Sequence, residues 1–248
     1  MLHSRALSNL QLLRQNPYPG RGLVVGMNDT GFHMVQAYWI MGRSENSRNR
    51  VFVSDDNYSL RTAPADASKV KDPRLIIYNA MRRVGNIHVV SNGDQTDAVV
   101  LAYSDAKPGD YVFFDVLSDR EYEDDAPNFT PRITAMSVYS DGYPTTQISV
   151  LRKSRFSHAC DHLQYSYEEM GNGLGYCVTT YTGDGNPLPS FEGEPYLLPL
   201  QGDIQKIAEK LWSALDESNR VALAVKFIDV RTDVAEIHII NKYQAVSQ

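Results

Sequence analysis

Leu23-Val24-Val25-Gly26-Met27-Asn28-Asp29-Thr30-Gly31-Phe32-His33-Met34-Val35-Gln36-Ala37-Tyr38-Trp39-Ile40-Met41 holds two apolar runs separated by a turn signal. The second run is rich in aromatic and β-branched residues, which fit a pleated surface, and Asn28-Asp29-Thr30-Gly31 supplies the polar and glycine residues that reverse a chain. The stretch therefore predicts a hairpin of two extended strands.

Downstream, Val51-Phe52-Val53 resumes a strand after a polar loop at 43–50, and residues 66–74 form a polar connection closed by Asp72-Pro73. Residues 75–84 suit a helical turn as well as a strand, and a short helix is the expectation. Asn86-Ile87-His88-Val89-Val90 is extended and ends at Ser91-Asn92-Gly93, a turn expected to expose Asn92 and Asp94 at a strand end. A helix over 96–101 precedes a break at Lys107-Pro108-Gly109, a run over 111–117 and an acidic stretch over 119–125; Pro127 and Pro131 then stiffen a loop. The chain turns strongly β over 133–139 and 146–152, with a turn at Asp141-Gly142-Tyr143-Pro144, and again over 175–181. Ile204, Ile207, Leu211, Trp212 and Leu215 share one face at helical spacing behind Asp203, which predicts a capped helix over 203–215. Two alternating strands, 221–228 and 235–243, close the pattern. Many hairpins and few helices predict an α+β fold of antiparallel sheets whose outer faces the helices cover.

A chain of 248 residues can bury a substantial core, and one domain over 1–248 is expected. Arg5 and Arg14 flank Leu7, Leu10 and Leu13, so residues 1–17 read as an amphipathic helical extension without the apolar core of a signal peptide. No apolar run approaches the ~20 residues of a membrane span, and the expectation is a cytoplasmic protein. The formal net charge of −6 disfavours a general nucleic-acid binder, while leaving room for a local cationic cluster that holds one small anion. Cys160 and Cys177 are too few and too separated for a disulfide framework or a zinc site, and the histidines show no metal-ligand spacing. His158 and His162 flank Cys160 locally, but nucleophile and base usually meet across a fold, so a small buried thiol is the better reading.

The polar motifs carry the chemistry. Arg43, Arg48 and Arg50 bracket Ser44, Asn46, Ser47 and Asn49; guanidinium presents a rigid fork that matches phosphate, whereas a solvated loop pairing with Glu45 and Asp55 is the plainer alternative. Gly20-Arg21-Gly22 adds an arginine beside flexible backbone. Tyr78 fits a packed position or a proton donor; Glu123 sits in a charge run of the sort that usually faces solvent; Arg132 follows Pro131 at the start of a strand.

Taken in order, Tyr18-Pro19-Gly20-Arg21, Arg43-Ser44 with Asn49-Arg50, Tyr78-Asn79, Val89-Val90-Ser91-Asn92-Gly93, Tyr122-Glu123 and Thr130-Pro131-Arg132-Ile133 resemble the archaeal-type IMP cyclohydrolases. The resemblance covers residues 18–150 well and the remainder more loosely. It implies a four-layer α-β-β-α sandwich similar to the N-terminal nucleophile hydrolases but without their self-processing. It also implies dehydrative ring closure of 5-formamidoimidazole-4-carboxamide ribotide to IMP, a purine ribotide as small-molecule ligand, no cofactor or metal, no nucleic-acid or membrane partner, and a homo-oligomer. Carried over motif by motif, it places Arg50, Tyr78 and Glu123 in the catalytic group. Arg21, Arg43, Arg48, Asn79, Asn92 and Arg132 become substrate contacts. The loop before Arg50 is longer than the family pattern, and the stretch around 171–200 is additional material expected to cover the site or make subunit contacts. An amidase or peptidase on the same layered fold and a non-catalytic purine-nucleotide binder are the alternatives.

Overall fold

The computed structural model describes residues 1–70, 76–106, 112–140, 143–168 and 170–244. The predicted hairpin opens the first sheet: β1 (Gly22–Met27) pairs antiparallel with β2 (His33–Met41), Val24 opposite Ala37. Every residue of β1 is buried, because both faces of this sheet are covered. A short helix α2 (Glu45–Arg48) interrupts the loop read as irregular, capped by Ser44, whose side chain accepts a hydrogen bond from the Ser47 backbone N–H. The strands β3 (Val51–Val53), β4 (Leu60–Ala63), β5 (Asn79–Val84) and β6 (Ile87–Ser91) follow. The helix expected over 75–84 is thus corrected for residues 79–84: Met81 pairs with Val90 and Arg82 with Val89, and this cross-strand ladder outweighs a local preference that had no clear period. Leu75 of that expectation, the Asp72-Pro73 closure, the Lys107-Pro108-Gly109 break, Tyr111 and the Asp141-Gly142 turn lie outside the described residues.

The chain continues through α3 (Gln95–Asp105), α4 (Val112–Ser118), the hairpin β7 (Arg132–Ser140) and β8 (Tyr143–Lys153), then β9 (Cys160–Tyr167), β10 (Leu174–Thr179) and β11 (Tyr196–Pro199). It ends with α5 (Ile204–Ala214), β12 (Arg220–Asp229) and β13 (Ala235–Asn241), close to the predicted bounds. Asp203 caps α5 by accepting from the Lys206 backbone N–H at 2.8 Å. The N-terminal helix is α1 (Leu2–Gln15), burying Ala6, Leu10 and Leu13.

Two antiparallel sheets result, six strands in the order β11-β10-β1-β2-β12-β13 and seven in the order β3-β4-β5-β6-β7-β8-β9. Alternating side chains sort the core into layers. Val35, Ala37 and Trp39 of β2 face Leu10 and Leu13 of α1 and Ile207 and Leu211 of α5. Tyr38 and Ile40, one step out of phase, face Phe52, Ala80, Val90, Ala135 and Ile148 of the second sheet. On that sheet's other side Val89 and Met136 meet Val99 of α3 and Phe113 and Leu117 of α4. The fold is α+β, two facing antiparallel sheets with few helices. Leu211 is fully buried, so its truncation to alanine costs about 3 kcal/mol. No helix among the described residues is long and apolar enough to cross a membrane.

Candidate active site

The start of β1, the end of β2, the end of β10 and the loops before β3 and β7 lie at one end of the paired sheets, and there they enclose a cavity of about 320 Å³. Its walls carry Arg21, Arg43, Arg50, Glu123, Asp125 and Tyr181. Gly20 makes the entry possible. Its φ is +72°, and a Cβ there would stand 2.2 Å from Thr180 Oγ1 and 2.4 Å from the Tyr181 ring, so only glycine brings the chain close enough for Arg21 N–H to donate to Thr180 Oγ1 at 3.1 Å.

Arg21 is anchored from two sides. Its Nη2 donates to Glu123 Oε2 at 2.9 Å and its Nη1 to the Asn92 carbonyl at 3.2 Å. Burial, the largest single influence, pulls the guanidinium's pKa down, but the Glu123 carboxylate, its hydrogen bond and the nearby Tyr78 and Tyr38 hydroxyls together hold it well above the ordinary arginine value. Glu123, placed in a charge run by sequence, is buried; its backbone N–H donates to the Thr130 carbonyl, which folds the acidic stretch inward.

Arg50 differs from its neighbours. It is buried, makes no ion pair or side-chain hydrogen bond among the described residues, and its Nε has no partner; Asn46 Oδ1, also on the cavity wall, is buried and unpaired. Buried polar groups are almost always satisfied, so an unmatched donor and acceptor on one cavity point to a ligand. Arg43 is partly committed, to the Asp184 carboxylate and the Gly185 carbonyl, with its guanidinium carbon 4.8 Å from the centre of the Tyr18 ring.

Tyr78 sits one layer deeper. Its hydroxyl meets that of Tyr38 at 2.6 Å across the interface between the sheets, in the field of Arg21 and Arg50. Burial, then the neighbouring phenol, hold the Tyr38 hydroxyl well above the usual tyrosine pKa, so it stays protonated.

The remaining sequence candidates are committed elsewhere. The expectation that Asn92 is exposed is corrected: it is wholly buried, donating from Nδ2 to the Pro131 carbonyl and accepting at Oδ1 from Ile133 N–H and Gln95 Nε2. An amide at that turn matches the backbone groups of Pro131 and Ile133 at the start of β7, and this decides its direction. Asn79 donates to the Asp97 carboxylate of α3, Arg132 to Asp94 and Gln95, and Arg48 to the Gly42 carbonyl and Asn219. None of the four lines the cavity. Of the nine, Arg21, Arg43, Arg50 and Glu123 do.

Sequence reasoning missed Tyr38, Tyr181 and Asp125. Tyr181 OH and Thr130 Oγ1 are 2.5 Å apart, and Thr130 donates its hydroxyl to Asp125 Oδ2 and its backbone N–H to Oδ1. Burial, opposed by those two hydrogen bonds and aided by Glu123, raises the Asp125 carboxyl above the usual range. Thr130 lay in a quoted motif, but nothing local marks its link to a tyrosine 51 positions away.

At the far end of the sheets lies a second polar cluster. Lys226 is fully buried and donates to the Tyr58 carbonyl at 2.9 Å; burial brings it down to about 7. His88, fully buried beside it, is lowered to about 4 by burial and by Lys226, so its 2.8 Å contact with Asp233 is a hydrogen bond from a neutral ring. Cys177 is a buried free thiol pushed up to about 12 by burial, and Cys160 is also free. Among the described residues no group of three or more His, Cys, Asp or Glu could hold a metal ion.

Two facing antiparallel sheets with an arginine-lined polar cavity at one end define a protein that handles a small anionic ligand. The chain belongs to the IMP cyclohydrolase-like protein family, whose match extends over residues 18–233. It is 26% identical over 215 residues to the IMP cyclohydrolase of Methanocaldococcus jannaschii, covering 86% of this chain and 94% of that protein. For the IMP cyclohydrolase of Haloquadratum walsbyi the identity is 26% over 208 residues, 84% and 90% of the two chains. With that of Methanococcus maripaludis strain C5 it is 30% over 127 residues, 51% of this chain and 61% of that protein.

Proposed function

We infer that the chain is an IMP cyclohydrolase, closing the ring of 5-formamidoimidazole-4-carboxamide ribotide to IMP with loss of water in purine biosynthesis. The observation that carries this reading is the convergence of Arg21, Arg50 and Glu123, from three separated motifs, on one polar cavity in a chain of this family.

Both reacting groups belong to one molecule, so holding the formyl carbon against the carboxamide nitrogen supplies much of the rate. The formyl oxygen gathers negative charge as the nitrogen attacks, and a buried guanidinium placed there stabilises it. Arg50, with its uncommitted guanidinium, either polarises that oxygen or grips the phosphate, and Arg43 at the more exposed rim takes the anionic end. Glu123, oriented by Arg21, accepts hydrogen bonds from the carboxamide. The Tyr78 hydroxyl acts from below through Tyr38 and the field it shares with Arg21. Arg48, Asn79, Asn92 and Arg132 serve the frame around this group. The chain works as one domain with residues 1–17 as an extension, in an α-β-β-α sandwich of the N-terminal nucleophile hydrolase kind without processing, and as a homo-oligomer.

The test is ring closure followed in the ultraviolet with purified full-length chain and no added metal. Turnover is expected; a folded protein giving no rate above the uncatalysed reaction overturns the reading.

A further inference from the structure

We propose that Asp125, Thr130 and Tyr181 form a proton wire along one wall of the cavity, with the Tyr181 hydroxyl meeting the ligand and the Asp125 carboxylate storing the proton. The inference rests on the cyclohydrolase reading and adds to it the route by which protons move.

The hydrogen bonds fix the wire's resting direction. An ionised carboxylate only accepts, so Thr130 gives its N–H to Asp125 Oδ1 at 2.6 Å and its O–H to Oδ2 at 2.5 Å. The Thr130 oxygen, having spent its one proton, accepts from Tyr181. Tyr181 is then left with bare oxygen lone pairs on the side that lines the cavity. A proton arriving on Tyr181 sends the phenol's own proton to Thr130 and Thr130's to Asp125. The reverse transfer returns it, and each direction is a set of proton hops along hydrogen bonds already in place.

Ring closure asks for this two-way traffic. As the carboxamide nitrogen bonds to the formyl carbon, it loses one proton and the carbonyl electron pair moves onto oxygen. As the carbon–oxygen bond breaks and the ring double bond forms, the formamide nitrogen loses a second proton. Both protons leave on that oxygen as water. A wire that takes each proton from nitrogen and returns it to oxygen ends unchanged, so no further reactant is needed.

Glu123 is poorly suited to the task, because Arg21 holds its Oε2 in a 2.9 Å ion pair. Asp125 has only the neutral donors of Thr130. The charged groups that face it are Glu123, which raises its carboxyl, and Arg21, which lowers it; burial is the largest influence, and raises it. Tyr181 stacks on Tyr18 with ring centres 6.0 Å apart, so removing its hydroxyl alone leaves the packing in place.

The experiment measures kcat and KM against pH in the full-length parent, Thr130→Val, Thr130→Ser, Tyr181→Phe and Asp125→Asn, with thermal unfolding as a fold control. Parent kcat falls on the acid side as Asp125 takes up a proton. Thr130→Val and Tyr181→Phe lower kcat by about 100-fold with KM within about threefold, Thr130→Ser recovers most of the loss, and Asp125→Asn loses the acid limb. If Asp125→Asn does not fold, the contrast between valine and serine at position 130 decides. An active parent whose kcat and acid limb survive in both Thr130→Val and Tyr181→Phe overturns the wire alone; an inactive parent overturns the cyclohydrolase reading and the wire with it.

Discussion

Arg21 and Glu123, 102 positions apart in the chain, close a 2.9 Å ion pair from opposite sheets, Arg21 entering β1 and Glu123 leading towards β7. Both side chains are nearly buried, so each is the other's main compensation for lost water. Replacing Arg21 with alanine strands the carboxylate and lowers stability by about 3 kcal/mol, read from urea unfolding. Glu123→Gln keeps the shape but loses the charge that orders Arg21 and grips the carboxamide, and the misplaced ligand lowers kcat by roughly 100-fold in the ring-closure assay.

The Tyr38 and Tyr78 hydroxyls predict a non-additive pair. Tyr78→Phe leaves the buried Tyr38 hydroxyl without its partner and costs about 1–2 kcal/mol. The double variant with Tyr38→Phe removes both polar groups and comes back to within about 1 kcal/mol of the parent. Additive losses in a double-mutant cycle would show that the two phenols act apart.

Arg50 and Asn92 should separate cleanly. Arg50→Ala removes a guanidinium that holds nothing in the fold, so KM rises at least about tenfold with little change in thermal midpoint. Asn92→Ala breaks three buried hydrogen bonds, two to the start of β7 and one to Gln95 of α3, and stability drops by roughly 2–4 kcal/mol. Equal loss of stability in both variants would contradict the assignment of Asn92 to the frame and Arg50 to the ligand.

The far cluster predicts a pH signature. Lys226 is lowered in the folded chain from 10.5 to about 7, so between those values the unfolded chain binds a proton that the folded chain refuses. Stability therefore falls as pH drops from 10.5 to about 7 and this contribution levels off below; His88, lowered from 6.5 to about 4, adds a further loss between those two values. Lys226→Met removes the first slope, on the order of 2–3 kcal/mol between about pH 7 and 9. An unchanged slope in that variant would mean the lysine is charged where it lies.

Much of the fold was legible because its elements carry strong periods. The β1–β2 hairpin, α5 with its Asp203 cap and the β12–β13 pair all follow from local pattern and turn chemistry. Residues 79–84 did not, since Asn-Ala-Met-Arg-Arg-Val has no dominant period and becomes a strand only through partners on both sides. Neither β9 nor β11 was anticipated; β9, an edge strand, does alternate Leu163, Tyr165 and Tyr167 with His162, Gln164 and Ser166, a period-two signal that the flanking Cys160 and histidines drew attention away from, and β11 is short. At the site, arginines in polar motifs identified the right wall, but sequence says little about which guanidinium is spoken for. Arg48 and Arg50 are two positions apart; one is consumed by Gly42 and Asn219, the other is free among the described residues.

The cavity draws its walls from both sheets, which otherwise touch there through apolar layers and a pair of phenols. A bound ribotide that engages Arg21 on one side and Arg50 on the other acts as a rivet across the seam, so occupancy and cohesion of the two halves become one equilibrium. Product at a hundred times its dissociation constant would then slow every excursion in which the sheets part, worth roughly 2.7 kcal/mol. On that account the empty enzyme is expected to be cut faster than the product-bound one by a protease acting at the loops before β3 and β7.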